Sequence, residues 1–324
     1  MYFNRKNNFP HGLMFHHFHD NKSHKSSQGS ITADQLYEVI KVVGRKNILD
    51  PNIFMYKFKN KKLKKKDLCL TFDDLHKCQV DIALPVLKKL KVKAFFFIYT
   101  KAIGKRPDDL EIFRFFRNSY YENINNFYED FFEIFLNFNK KFKLDKFFIE
   151  KKKEIEIFSK KYTFYSDSDI KFRIIRDEVL SRSNYSKIMH KLFKKKNFNL
   201  TDYSKQVFLS EVDIKKIDNL GHSIGLHSHS HPTSFKKLSY KEQLNEYSKN
   251  KKILENIIGK NKIFSMSHPC SQYNQNTFKV LKKLNIDIGF KANMFGKNKI
   301  SRENYNFEIA REDYTNIKNR LNLH

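Results

Sequence analysis

Two periods of apolar and polar residues organise the chain. "LCLTF" (68–72) is an unbroken apolar and β-prone run, the pattern of a strand buried on both faces. "VDIALPVLKKL" (80–90) then changes period. Ala83, Val86, Leu87 and Leu90 fall on one helical face, and Pro85 is tolerable only in a first turn. "VKAFFFI" (92–98) reads as a second buried strand. The same grammar returns after residue 209. Ser210 with Asp213 makes a capping-box-like helix start, and Gly221 a stop. "HSIGL" (222–226) is a short strand. Ser239 and Glu242 form another capping box. Leu244, Tyr247, Leu254 and Ile258 line one face of the helix that follows, and Gly259 ends it. Strand "KIFSM" (262–266), helix "NTFKVLKKL" (276–284) and strands "IDIGF" (286–290) and "NFEIA" (306–310) complete the series. Alternating units with buried strands predict a parallel α/β sheet or barrel.

The grammar breaks between the two halves. Tyr120, Ile124, Phe127, Phe131, Phe135 and Phe138 recur at helical spacing, with few Gly or Pro between them. We expect an insertion of amphipathic helices over 101–209, flanked by an N-terminal segment with the first strands (1–100) and by the rest of the same catalytic domain (210–324). The Phe-rich stripe is expected to pack inward rather than to stack on sugars.

Composition changes this picture little. The net charge is +28, but the Lys residues are spread among Asn and Phe, as an AT-rich coding sequence produces. The densest run, "KNKKLKKKD" (59–67), reads as a solvated edge, so no nucleic-acid partner is expected. No stretch approaches the roughly 18 apolar residues of a spanning helix. The N-terminal sequence lacks a signal-peptide pattern, and the three cysteines form no CxxC pair. Together these predict a cytoplasmic protein with reduced thiols.

The polar clusters carry the chemistry. They follow the predicted strands: Asp73-Asp74 after the first, "HSHSHP" (227–232), "SHPCSQYN" (267–274) and "RED" (311–313) after later ones. Parallel barrels place active sites at the C-terminal ends of strands. Adjacent carboxylates repel unless a cation or a proton relieves them. His227 and His231 are four residues apart, and Pro232 disfavours a helix there, so a loop could bring two imidazoles to one metal. Two His and one Asp would leave positions open for water and substrate, with the second Asp as a base. The residues alone do not say which Asp does which.

"TFDD" followed by "HSHSHP" resembles the NodB-homology polysaccharide deacetylases, the fourth carbohydrate esterase family, over 68–98 and about 205–313. "LMFHHF" (13–18) is similar to an early element of these proteins. The resemblance implies a distorted (β/α) barrel of about seven strands. It also implies one divalent metal, with zinc expected ahead of cobalt or manganese, and removal of acetyl groups from an acetylated sugar or glycan precursor. By position, Asp73 is the implied base, and Asp74, His227 and His231 are the implied metal ligands. Ser228 is the hydroxyl that braces the loop. Cys270, beside Pro269, is expected to supply an oxyanion-hole N–H. Three departures stand out. Ser267 occupies the place of the arginine that orients the base, a role Arg311 is expected to take over. Leu75 replaces a glycine, which requires a backbone there that accepts a side chain. The general acid is not evident: His16 is the candidate in "FHHF", with His229, His268 and the terminal His324 as further ones. Two rival functions stay open: hydrolysis of another C–N bond, and a degenerate barrel that only binds glycan.

Overall fold

A computed structural model describes residues 11–20, 22–27, 29–103, 109–161, 165–199, 207–292 and 305–321. Seven parallel strands close into a barrel in chain order: β1 (Gly12–Phe15), β2 (Cys69–Asp73), β3 (Ala94–Ile98), β4 (Ser223–Leu226), β5 (Ser265–Ser267), β6 (Ile288–Ala292) and β7 (Ile309–Asp313). β1 pairs with both β2 and β7, which closes the ring. The chain divides into two compact units, one of Met1–Pro107 with Phe208–His324 and one of Asp108–Val207.

Side-chain alternation explains how the barrel is filled and where it ends. Cys69 packs into a buried cluster with Phe54, Phe95, Phe97, Ile288, Phe290 and Ile309. Alternate residues of a strand share a face, so Thr71 and Asp73 point inward with Cys69, and Arg311 points inward with Ile309. The upper part of the interior is therefore polar. Gly225 belongs to the same packing, because a Cβ there would lie 2.6 Å from the Phe97 ring and 2.7 Å from Ser265 Oγ. Phe95, Phe97 and Phe290 are fully buried, each contributing roughly 1.5–3 kcal/mol by leaving water.

The helices form where the caps predict, with small offsets. Ser210 caps α10 (Glu211–Asn219) and Ser239 caps α11 (Tyr240–Ile258), both with reciprocal bonds from the third helical residue. Asn274 caps α12 (Gln275–Lys283). α13 (Tyr314–Leu321) follows β7. Pro85 does sit in a first turn, at the start of α3 (Leu84–Leu90), but a π-helical turn over Gln79–Ala83 precedes it. Four elements lie outside the sequence-based expectation: β1, α1 (Ala33–Val43), α2 (Pro51–Lys59) and α13. "RED" also differs from expectation, since Arg311–Asp313 are part of β7 rather than a loop after it.

The second unit contains α4 (Asp109–Ser119), α5 (Ile124–Phe138), α6 (Leu144–Glu150), α7 (Lys152–Lys161), α8 (Asp167–Ile174) and α9 (Arg182–Lys195). Phe127, Phe131 and Phe135 are fully buried in it, against partners such as Phe172. Phe138, at the helix end, is 43% exposed.

Candidate active site

The end of β2 delivers two carboxylates to different surroundings. Asp73, the last strand residue, is 3% exposed and points inward. Arg311 grips it with two bonds, Nη1 to Oδ1 at 2.5 Å and Nη2 to Oδ2 at 2.7 Å. The same guanidinium donates to Thr71 Oγ1 and to Ser267 Oγ, and Ser267 Oγ donates on to Asp73 Oδ2 at 3.0 Å. Gln79, fully buried, donates to the backbone carbonyls of both Asp73 and His16. Burial pushes the Asp73 carboxyl up, but Arg311, with help from His227, outweighs it and holds the carboxyl down at about 2.

Asp74 turns away from the ladder with φ 74°, in the left-handed region. This settles the meaning of Leu75. The unusual backbone falls on Asp74 itself, while Leu75 keeps negative φ and is fully buried. Asp74 Oδ1 lies 3.3 Å from His227 Nε2 and 3.3 Å from His231 Nε2. The ligand atoms of Asp74, His227 and His231 lie within 4.8 Å of one another.

The chemistry of this set fits a cation. His227 Nδ1 faces the Ser267 carbonyl at 2.9 Å, and a carbonyl only accepts, so Nδ1 carries the proton. In a neutral ring, Nε2 then presents a lone pair to Asp74. Asp74 Oδ1 is itself buried and has no hydrogen-bond partner among the described residues. Lone pairs facing a carboxylate at this range need a cation or a proton between them. The proton is the metal-free alternative: burial lowers the His227 pKa, Asp73 and Asp74 raise it by more, and the net shift is upward. For Asp74, burial is outweighed by His231, His227 and His76, and its carboxyl stays well below the usual range.

The histidine loop is braced from outside. Glu246 on α11 accepts from the backbone N–H of His229 (2.9 Å) and Ser230 (2.7 Å) and from Ser230 Oγ (2.8 Å). Asn250, one turn on, accepts from the His227 N–H and donates to the Ile98 carbonyl. Ser228 Oγ accepts from the His231 N–H at 3.1 Å, within the loop. Ser228 and His231 take φ of 64° and 49°, so the tight turn uses left-handed backbone at non-glycine residues.

The remaining candidates lie around this centre. His16, about a third exposed, has Nδ1 4.0 Å from Asp313 Oδ2 and acts on the Asp73 charge. Cys270 is exposed in the Pro269–Ser271 turn after β5, with φ 50°. His268 is turned away: its Nε2 donates to the Phe307 carbonyl, and burial pushes its pKa down to about 3. His229 bonds Thr100 through Nδ1. His324 lies outside the described residues. Sequence reasoning missed His76, Gln79, Glu246 and Asn250. Glu246 and Asn250 sit one helical turn apart on a predicted helix, a signal too common to single them out.

Residues 60–114 and 179–289, just over half of the chain, match the polysaccharide deacetylase family. The chain belongs to that family. Solved structures with similar folds are the Streptococcus pyogenes deacetylase PplD in complex with acetate (16% identity, 93% of this chain and 90% of that one, TM-score 0.51), IcaB from Ammonifex degensii (14%, 86% and 82%, 0.50) and a de-N-acetylase from Aggregatibacter actinomycetemcomitans (14%, 93% and 93%, 0.51). No curated protein matches the chain. The closed seven-strand barrel is the fold expected of this deacetylase family, and the family is one of enzymes. Among the described residues, no helix of this deacetylase is long and apolar enough to cross a membrane.

Proposed function

We propose that this deacetylase removes an acetyl group from an N-acetylated sugar of a surface polysaccharide or its precursor, with the help of one divalent ion, zinc ahead of cobalt or manganese. The observation that carries the reading is the pairing of two unlike carboxylates. Asp74 Oδ1 shares its surroundings with two imidazole nitrogens, and Asp73, one residue away, is clamped by Arg311. Asp74, His227 and His231 would hold the ion, which when bound supplies Lewis-acid polarisation of the acetyl carbonyl and a more acidic water.

Asp73 is the base. Its carboxylate is ionised at neutral pH because Arg311 holds it so, and the clamp fixes both oxygens toward the interior. The Cys270 N–H is the oxyanion donor in this scheme, and His16, at the rim beside Asp313, is the group placed to hand a proton to the departing amine. Arg311 positions the base in place of the missing third-motif arginine, and Ser267 adds a bond to the same carboxylate. A cytoplasmic site of action, as the sequence pattern of the N-terminal segment leads us to expect, would make a lipid- or nucleotide-linked precursor the substrate.

The test pairs acetate release with metal content. Asp73→Asn is expected to keep about one ion per chain and lose turnover. A His227→Ala, His231→Ala double variant is expected to lose both. Asp73→Asn with full activity would sink the assignment of the base. Cleavage of the acetylated sugar without acetate would point to other C–N chemistry.

A further inference from the structure

We infer that His76 is a positioning residue that holds Asp74 to a single ligand oxygen; the inference rests on the metal reading above. Asp74 follows the last rung of β2, and its left-handed backbone takes it out of the ladder. Something other than the sheet must therefore set its side-chain rotation. His76 Nε2 lies 3.1 Å from Asp74 Oδ2, while the other oxygen, Oδ1, is the one that faces His227 and His231. An ionised carboxylate only accepts, so Nε2 of His76 carries the proton in this contact.

His76 is itself held. It is 2% exposed, its ring lies 3.8 Å centroid to centroid from the His17 ring, its backbone bridges Phe208, and its carbonyl accepts from the Gln79 N–H at 3.1 Å. A fixed donor on Oδ2 has two effects. It sets the plane of the carboxylate, and it occupies the oxygen that a chelating, two-oxygen mode would need. Asp74 then offers Oδ1 alone. Partners of this kind behind a ligand typically change metal affinity by roughly 10- to 100-fold.

The experiment titrates Co²⁺ and Zn²⁺ into the full chain and reads affinity together with the visible Co²⁺ spectrum. The proteins are wild type, His76→Phe (ring kept, donor lost), His76→Gln (donor kept) and His227→Ala. We expect His76→Phe to weaken binding roughly 10- to 100-fold and to alter the Co²⁺ bands as Asp74 is freed to chelate, with His76→Gln restoring part of both. A packing role alone would not produce the spectral change or the recovery by Gln. Should His76→Phe fail to fold, His76→Ala is read by the same criterion. If the donor-less variant matches wild type in affinity and spectrum while His227→Ala loses the ion, the role of His76 is refuted and the metal reading survives. A wild-type protein that binds neither ion overturns the metal reading, and this inference with it.

Discussion

A Cβ on Gly12 would stand 2.5 Å from Arg311 Cγ across the β1–β7 seam, so the missing side chain of one residue makes room for the other. Arg311 is 1% exposed and cannot yield by swinging into solvent. Gly12→Ala should push the guanidinium off Asp73. The expected outcome is a loss of about 1–3 kcal/mol in urea unfolding from overpacking, with acetate release falling at least about tenfold as the base loses its alignment. Unchanged activity would mean that the clamp does not position the base.

Removing the clamp should cost more than crowding it. Arg311→Met leaves the Asp73 charge buried and unpaired, which typically costs about 3–5 kcal/mol. Arg311→Lys keeps a charge but not the fork, and an intermediate loss is expected. Adding Asp73→Asn to Arg311→Met should recover part of the stability and none of the turnover. Denaturant midpoints of wild type, Arg311→Met, Arg311→Lys, Asp73→Asn and the double variant check this, and simple additivity of Arg311→Met and Asp73→Asn would contradict the coupling.

His222 gives a pH dependence away from the site. Burial pushes its pKa down to about 4, with Lys93 adding to the effect, and its Nδ1 accepts the Ala94 N–H at 3.1 Å. The folded value lies below the unfolded one, so the unfolded chain binds more protons between the two. Stability from this group is complete above about pH 6.5 and declines as pH falls toward 4, by about 3 kcal/mol at most for a shift of this size. Urea unfolding at pH 7 and pH 5 should show a smaller drop for His222→Asn than for wild type. Equal drops would exclude His222 as the source.

Glu246 should act on the site without touching it. Glu246→Gln keeps an acceptor but loses the charge that gathers two amides and a hydroxyl. A loss of about 1.5–3 kcal/mol is expected for charge-assisted bonds of this kind. Faster hydrogen exchange at the His229 and Ser230 amides, together with weaker metal binding, would locate the effect in the loop. Exchange unchanged there would assign the loss elsewhere.

The parts legible in the sequence were those encoded by local pattern. Strands with unbroken apolar runs, such as the one ending in Asp73, and helices with capping boxes at Ser210 and Ser239 appear within a few residues of their expected bounds. β1 escaped because Gly12–Phe15 is only four residues long and begins with a poor strand former. Asp74, His227 and His231 could be grouped because adjacent carboxylates and closely spaced imidazoles are uncommon without a reason. Gly12, His76 and Glu246 could not, since their importance lies in contacts across the fold. Leu75 shows the limit of a motif read by position: the strained backbone sits one residue earlier, on Asp74.

The seam between β1 and β7 also sets an order of events. Arg311 is carried by the strand that closes the ring, and its register partner Gly12 lies at the opposite end of the barrel sequence. During synthesis Asp73 emerges long before its counter-ion, and a buried carboxylate without one is costly. The interior above Phe97 and Phe290 can therefore dry out only after β7 has docked, a contact of very long sequence separation and hence slow to form. The proposed site is thus complete only once the ring is closed, because Asp73 and its counter-ion Arg311 are brought together by strands far apart in the chain.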